Sequence, residues 1–453
     1  MMIGAGVSRW TMLHLGTAVA ALLAALALLA AGYADPIDGL HNPATLIAVH
    51  LVTIGWLSLM MLGALYQFVP VITTTPLYSQ RLPILSFVAI VAGLAAMIAG
   101  FLALDGVALV TVAPLPLGGA LVLTGFVLGA ANIAATLWRA RPLPLPARFV
   151  AAGLGFLLIT GLVGLGFALV FAMPDPPIFL VDLAAQGLTL HVLGGLGGWV
   201  TLTAMGVSYR LLTMFMLAPD KPRWTSHAAL LLTAGGLLAY VAAGLIGVGT
   251  GFSPVPFASL AAAVALLGTA LYLLDILHIY RARIRRQLEL NSISAAAALG
   301  LFAFVVAATG VSAATGTLAR LAPALGYLFI FGWLSGLGLS QLYKIVPFLT
   351  WLEVFGKRLG KGPVPRVQDL VNERRAAPWF VLYFAAVIGA TGALGAGGGR
   401  LLAVASVAQF IATAFIALEL WRAHRPDPTA APGPIDRTAP VRVPDSRHLT
   451  QGG

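Results

Sequence analysis

Residues 50–70 read HLVTIGWLSLMMLGALYQFVP, an apolar run with a histidine at its start. The pattern returns at 191–213, HVLGGLGGWVTLTAMGVSYRLLT, and at 327–347, YLFIFGWLSGLGLSQLYKIVP. Aligned on the Gly-Trp pair, Gly55-Trp56 is followed by Gly63, Tyr66, Gln67 and Pro70. At the same offsets Gly198-Trp199 is followed by Gly206, Tyr209, Arg210 and Thr213, and Gly332-Trp333 by Ser340, Tyr343, Lys344 and Pro347. A pattern recurring at fixed offsets marks an internal repeat, and a repeat sets the architecture before any single motif does.

The 453-residue chain around these stretches is 60% hydrophobic and only 9% charged, against about 25% charged residues in soluble domains. Twelve apolar runs reach the roughly 20 residues that cross a bilayer, and helices are the form that satisfies their backbone in lipid. The three related stretches fall on spans 2 (48–70), 6 (182–213) and 10 (322–348), so the period is four helices. The sequence therefore predicts an all-α polytopic membrane protein, with twelve transmembrane helices in three pseudo-three-fold arcs of four. The membrane domain is expected over 1–423, with repeat units of about 11–138, 148–280 and 292–422. Residues 424–453, rich in proline and charge, are expected to form a disordered cytoplasmic tail.

Charge supports this topology. With the N-terminus inside, all 26 Lys and Arg fall in cytoplasmic segments except Arg320, Arg400 and Lys344, and Lys344 stands near the inner end of its helix. The positive-inside rule then predicts a multi-pass protein of the cell membrane with both termini cytoplasmic. The net charge of +11 reflects that topology and anionic lipid headgroups, and implies no nucleic-acid partner. The absence of cysteine excludes disulfides, thiolate metal sites and a cysteine nucleophile. The spans are nearly free of charge away from their ends, with Asp275, Lys344 and Glu419 all close to the inner face. Intramembrane charges usually mark an ion or substrate path, so this distribution weighs against a carrier. The repeated small residues suit close helix packing. The tyrosines followed by Gln, Arg or Lys suit interfacial anchoring, and proline is expected to end each helix.

Of eight histidines, His424 and His448 belong to the tail, and His227 and His278 to inner helix ends. His14 lies in span 1 towards the inner side and His41 in the first outer loop. All six read as surface or anchoring residues. His50 and His191 differ, because each sits in the outer part of a span, where an imidazole needs a hydrogen-bond partner, a metal or a wet cavity. Gly194, Gly195, Gly197 and Gly198 bare the helix beside His191, which leaves room for a flat macrocycle or for a neighbouring helix. His50 is five residues before its Gly-Trp and His191 seven before its own. Two residues turn a helix by about 200°, so the pair need not face one site.

Three arcs of four helices, with histidines entering on spans 2 and 6, resemble subunit I of the haem-copper oxidase superfamily, the cytochrome c oxidase and nitric oxide reductase large-subunit type. The resemblance covers roughly residues 10–422. It implies that His50 is an axial ligand of a haem iron, and that His191 ligates copper or the same iron. It also implies that Arg320 and Arg400, the two outer basic residues, pair the haem propionates. The chain departs from the family on span 7, where His227 at the wrong end replaces a copper-binding histidine pair. It departs again on span 10, where Tyr327 takes the place equivalent to His50 and the family's axial histidines are missing. A full binuclear centre of haem and copper is therefore not expected. What the resemblance implies is one haem, held by His50 with another ligand or by His50 and His191 together, with copper as the other metal it allows. The implied role is respiratory electron transfer or the handling of oxygen or nitric oxide, with an electron donor or other respiratory subunits as partners. An enzyme on this fold would be an oxidoreductase of that type. The NnrS-like haem- and copper-containing membrane family is similar in style, with a comparable span count and a histidine followed by spaced glycines. From a different class, the alternative is a cofactor-free carrier or assembly factor for a small or metal-containing solute.

Overall fold

The chain runs back and forth in twelve helices long and apolar enough to cross a membrane. They are Arg9–Ala30, Pro43–Thr73, Leu82–Leu104, Pro114–Arg139, Leu145–Val170, Leu188–Met216, Trp224–Thr250, Val255–Arg281, Leu290–Ala314, Leu318–Val354, Glu373–Gly395 and Arg400–His424, numbered spans 1 to 12. The computed structural model describes residues 8–39, 42–107, 111–251, 253–361 and 363–427. His41, His448 and the tail from 428 lie outside the described residues. No strand occurs among the described residues, and the three arcs of four spans are those expected.

The repeated stretches share a backbone device that composition does not show. Leu51–Ser58, Leu193–Thr201 and Leu328–Ser335 are all π-helical, each carrying its Gly-Trp pair. The wider turn places a hydroxyl so that it bonds the carbonyl five residues back: Ser58 Oγ donates to Thr53 O at 2.7 Å and Thr201 Oγ1 to Leu196 O at 2.6 Å. The three tryptophans are almost wholly buried where the units meet. Trp56 Nε1 donates to Ser335 Oγ at 2.9 Å, and Trp199 Nε1 to Ser58 Oγ at 3.1 Å, so each indole reaches the hydroxyl two residues past the tryptophan of another unit. The symmetric third bond would join Trp333 to Thr201. Trp333 Nε1 instead has no partner, and its ring stacks on Phe302 with centres 3.3 Å apart.

The small residue eight positions after each repeated glycine works as packing predicts in two units. A Cβ on Gly63 would lie 2.5 Å from His14 Cβ, and one on Gly206 would lie 2.6 Å from Phe149 Cβ. Other parts of the pattern differ from expectation. Tyr66, Tyr209 and Tyr343 are buried between helices rather than anchored at the lipid interface, and Tyr209 donates to Asp275 Oδ2 at 3.0 Å. Pro70 and Pro347 lie inside helices that run on to Thr73 and Val354, because neighbouring spans stabilise a proline-containing helix within a bundle. Span 6 begins at Leu188 rather than at 182. Ile178–Gln186 is a separate helix, and Gly187 stands at the break with its N–H on Leu183 O at 2.7 Å.

Charges within the spans are paired at the arginine-rich end. Asp275 accepts from Tyr209, Ser226, Thr225 and Arg223. Glu419 accepts from Arg375 at 2.6 Å and Arg422 at 2.7 Å, and Lys344 pairs with Glu289.

Candidate functional site

His50 and His191 face one cavity of about 270 Å³, far above the roughly 10–15 Å³ that one water needs. It is enclosed by spans 2 to 6 and reaches from the arginine-poor end, at Leu46, Phe171 and Leu188, to mid-span at Ser58, Phe126 and Trp199. No charged side chain lines it. The two imidazole ring centres are 6.5 Å apart with planes inclined by 35°.

The offset between the two histidines is what lets them meet. Equivalent positions on helices related by a three-fold axis point into three different interiors. Leu193, six residues before Trp199 as His50 is before Trp56, does not line this cavity. A second histidine can face the first only from a non-equivalent position, and His191 occupies one.

Each ring is held by its Nδ1. His50 Nδ1 lies 2.8 Å from Leu46 O, one turn back on its own helix, and His191 Nδ1 lies 3.1 Å from Thr160 O on span 5. A carbonyl can only accept, so both Nδ1 atoms carry the proton and both Nε2 atoms keep their lone pairs. Neither Nε2 makes a hydrogen bond within the protein, and both histidines line the cavity. Phe101 packs on His50 and Phe167 on His191, with ring centres 5.1 and 5.4 Å apart. Gly164 completes the seat: a Cβ there would stand 2.8 Å from His191 Cε1.

Two neutral imidazoles with free Nε2 atoms, fixed through Nδ1, form a donor set suited to a transition metal or haem iron. Imidazoles ligating one metal from opposite sides, each about 2.0–2.1 Å from it through nitrogen, have ring centres roughly 6 Å apart. The observed separation fits that requirement, and the aromatic and aliphatic lining suits a flat macrocycle. Among the described residues no group of three or more His, Asp or Glu side chains could hold a metal ion.

Other residues singled out by sequence stand elsewhere. Arg320 and Arg400, both exposed at the start of spans 10 and 12, do not line the cavity. Of the four glycines after His191 only Gly195 lines it. The other three admit neighbours, since a Cβ would meet Thr160 at Gly194, Leu237 at Gly197 and Phe156 at Gly198. His227, His278 and His424 are exposed, as expected. His14 is not a surface residue. It is fully buried against Tyr66 and Phe87, with Nδ1 2.8 Å from Trp10 O. Gly63 opposite makes the room, and that glycine was the sequence signal for burial.

The sequence predicts span 5 but not its part in the site. Thr160, Gly161, Gly164 and Phe167 line the cavity or hold His191, and the glycine spacing of TGLVGLGF at 160–167 was the one available hint.

No family model matches the chain, and no curated protein matches it by sequence. Among solved structures the chain is similar to a heme-copper terminal oxidase dimer determined by cryo-EM. The TM-score is 0.65 and the identity 13%, covering 93% of this chain and 84% of the other. At that identity the likeness is one of fold. The protein is a membrane-spanning chain with a haem-copper-oxidase-like, subunit I type of fold.

Proposed function

We propose that the protein binds one haem, with His50 and His191 as the two axial ligands of its iron, and serves respiratory electron transfer. The observation that carries this reading is the pair of imidazoles 6.5 Å apart on one charge-free cavity, both with Nε2 free. The solved structure similar in fold is a heme-copper terminal oxidase, which supports the choice of haem. When bound, the group would supply reversible one-electron chemistry.

The chain's own residues do the rest. Leu46 O and Thr160 O fix the tautomer and orientation of the two rings and raise the basicity of each Nε2. Phe101, Phe126, Phe167 and Trp199 keep the surroundings apolar, which tunes potential through the dielectric. Were the iron held by both His50 and His191, the group would serve electron transfer rather than gas reduction. No proton-bearing carboxylate lines the cavity, which suits the same role. Arg320 and Arg400 would then act at the surface of the third unit rather than on propionates here. The test is purification after haem-replete expression: one haem per chain is expected, with the absorption of a six-coordinate low-spin centre. Protein that emerges free of haem and metal would instead favour a carrier or assembly factor using the cavity for a small solute.

A further inference from the structure

The mouth of the histidine cavity lies beside the short helix Ile178–Gln186. Ala184 of that helix lines the cavity, together with Leu188 just past the break and the exposed Phe171 at the end of span 5. Units 1 and 3 have no such break, because spans 2 and 10 run unbroken from Pro43 and Leu318. In unit 2 the break falls at Gly187, and a Cβ there would stand 2.5 Å from Leu183 O.

The helix is fastened lightly. Leu183 is its one buried residue, and it belongs to a three-residue apolar cluster with Val163 and Val248, separate from the main core. Ile178, Phe179 and Val181 are exposed, as on a helix lying in the membrane boundary. The burial of a single leucine biases such a helix towards its seated position by only on the order of ten- to a hundredfold. The break is also coupled to the site, since His191 N–H donates to Gly187 O at 3.1 Å.

We propose that Ile178–Gln186 is a lid hinged at Gly187, and that a flat apolar ligand enters the cavity beneath it. The proposal rests on the reading of this cavity as the cofactor site, and it names the route by which haem arrives. Lifting Leu183 out of its cluster carries Ala184 away from the cavity and uncovers Leu188, and it loosens the first turn of span 6 so that His191 can swing aside. Reseating restores the Gly187 bond and returns the imidazole to its place in the cavity lining.

The absence of native cysteine makes the lid directly testable in the full-length protein, since every thiol introduced is the one intended. Leu183→Cys should react with a water-soluble maleimide at least tenfold faster than Leu154→Cys, a comparably buried thiol in the main core. Equal inertness of the two would overturn the lid. Leu183→Cys combined with Val163→Cys or Val248→Cys, oxidised to a disulfide, should load added haem at least tenfold more slowly than the same protein after reduction. Equal loading would show that haem does not pass beneath this helix and would overturn the route. If wild-type, oxidised and reduced proteins all fail to take up haem, the haem reading and the route fall together. The maleimide rates still decide whether the helix opens.

Discussion

Two interiors of this molecule occupy related places in the repeat and do opposite things with a polar side chain. In unit 1, His50 stands six residues before Trp56 and turns a free Nε2 into a cavity. In unit 3, Tyr327 stands six residues before Trp333, and its hydroxyl donates to Gln409 Oε1 on span 12 at 2.6 Å. Around it Tyr383 donates to Phe331 O at 2.7 Å, and Ser406, Gln409 and Tyr383 are completely buried. One interior pairs its tyrosine hydroxyls within the protein, which makes it a strut, although Ser406 Oγ and Gln409 Nε2 there have no partner. The other leaves two nitrogens unsatisfied, which in hydrocarbon is costly unless a ligand is meant to complete them. A repeated fold thus gains a site where the repeat is broken.

The largest expected effect tests what joins the two regions. Trp56 is fully buried and bonds Ser335 across units, so Trp56→Ala should cost about 3–5 kcal/mol, read as a loss of unfolding resistance in detergent. The next tests the strut: Gln409→Leu leaves the Tyr327 hydroxyl unpaired and should cost about 1–3 kcal/mol, while haem content stays at the wild-type level. Gly164→Ala should reverse that pattern. Its new methyl pushes His191 from its seat, so haem affinity should fall about ten- to a hundredfold, as when a ligating histidine loses the group that orients it, with little change in unfolding. The smallest effect is a predicted silence. Tyr327→His puts a histidine at the position equivalent to His50, yet the filled interior should keep the haem-to-protein ratio at one. A ratio of two would show that the two interiors differ by one residue and not by packing.

The apolar runs were enough to read twelve spans, and the Gly-Trp repeat a period of four, because each unit buries the same tryptophan at the same depth. His50 and His191 were legible as candidates because imidazoles are rare in lipid-facing helices. Their meeting in one cavity was not legible, since a helical wheel counts 3.6 residues per turn and takes no account of which unit's interior each face addresses. The π turns were hidden for a related reason: they change residues per turn without changing composition. Tyr66, Tyr209 and Tyr343 misled because an aromatic near a basic residue at a helix end has the pattern of an interfacial anchor. Asp275, fifty or more residues away in sequence, holds Tyr209 inside instead. Arg320 and Arg400 were read from their side of the membrane alone, which says nothing about which unit they belong to. The seat built by Thr160 and Gly164 has no signature beyond small residues on an apolar helix.

The most direct test of the central claim is the visible absorption spectrum of haem-loaded wild-type protein beside His50→Ala and His191→Ala. If the two imidazoles clasp one iron, the wild type shows a low-spin Soret band, and each single substitution abolishes it or converts it to a five-coordinate form. A wild type without that band, or a His191→Ala protein whose spectrum matches the wild type, would contradict the shared site.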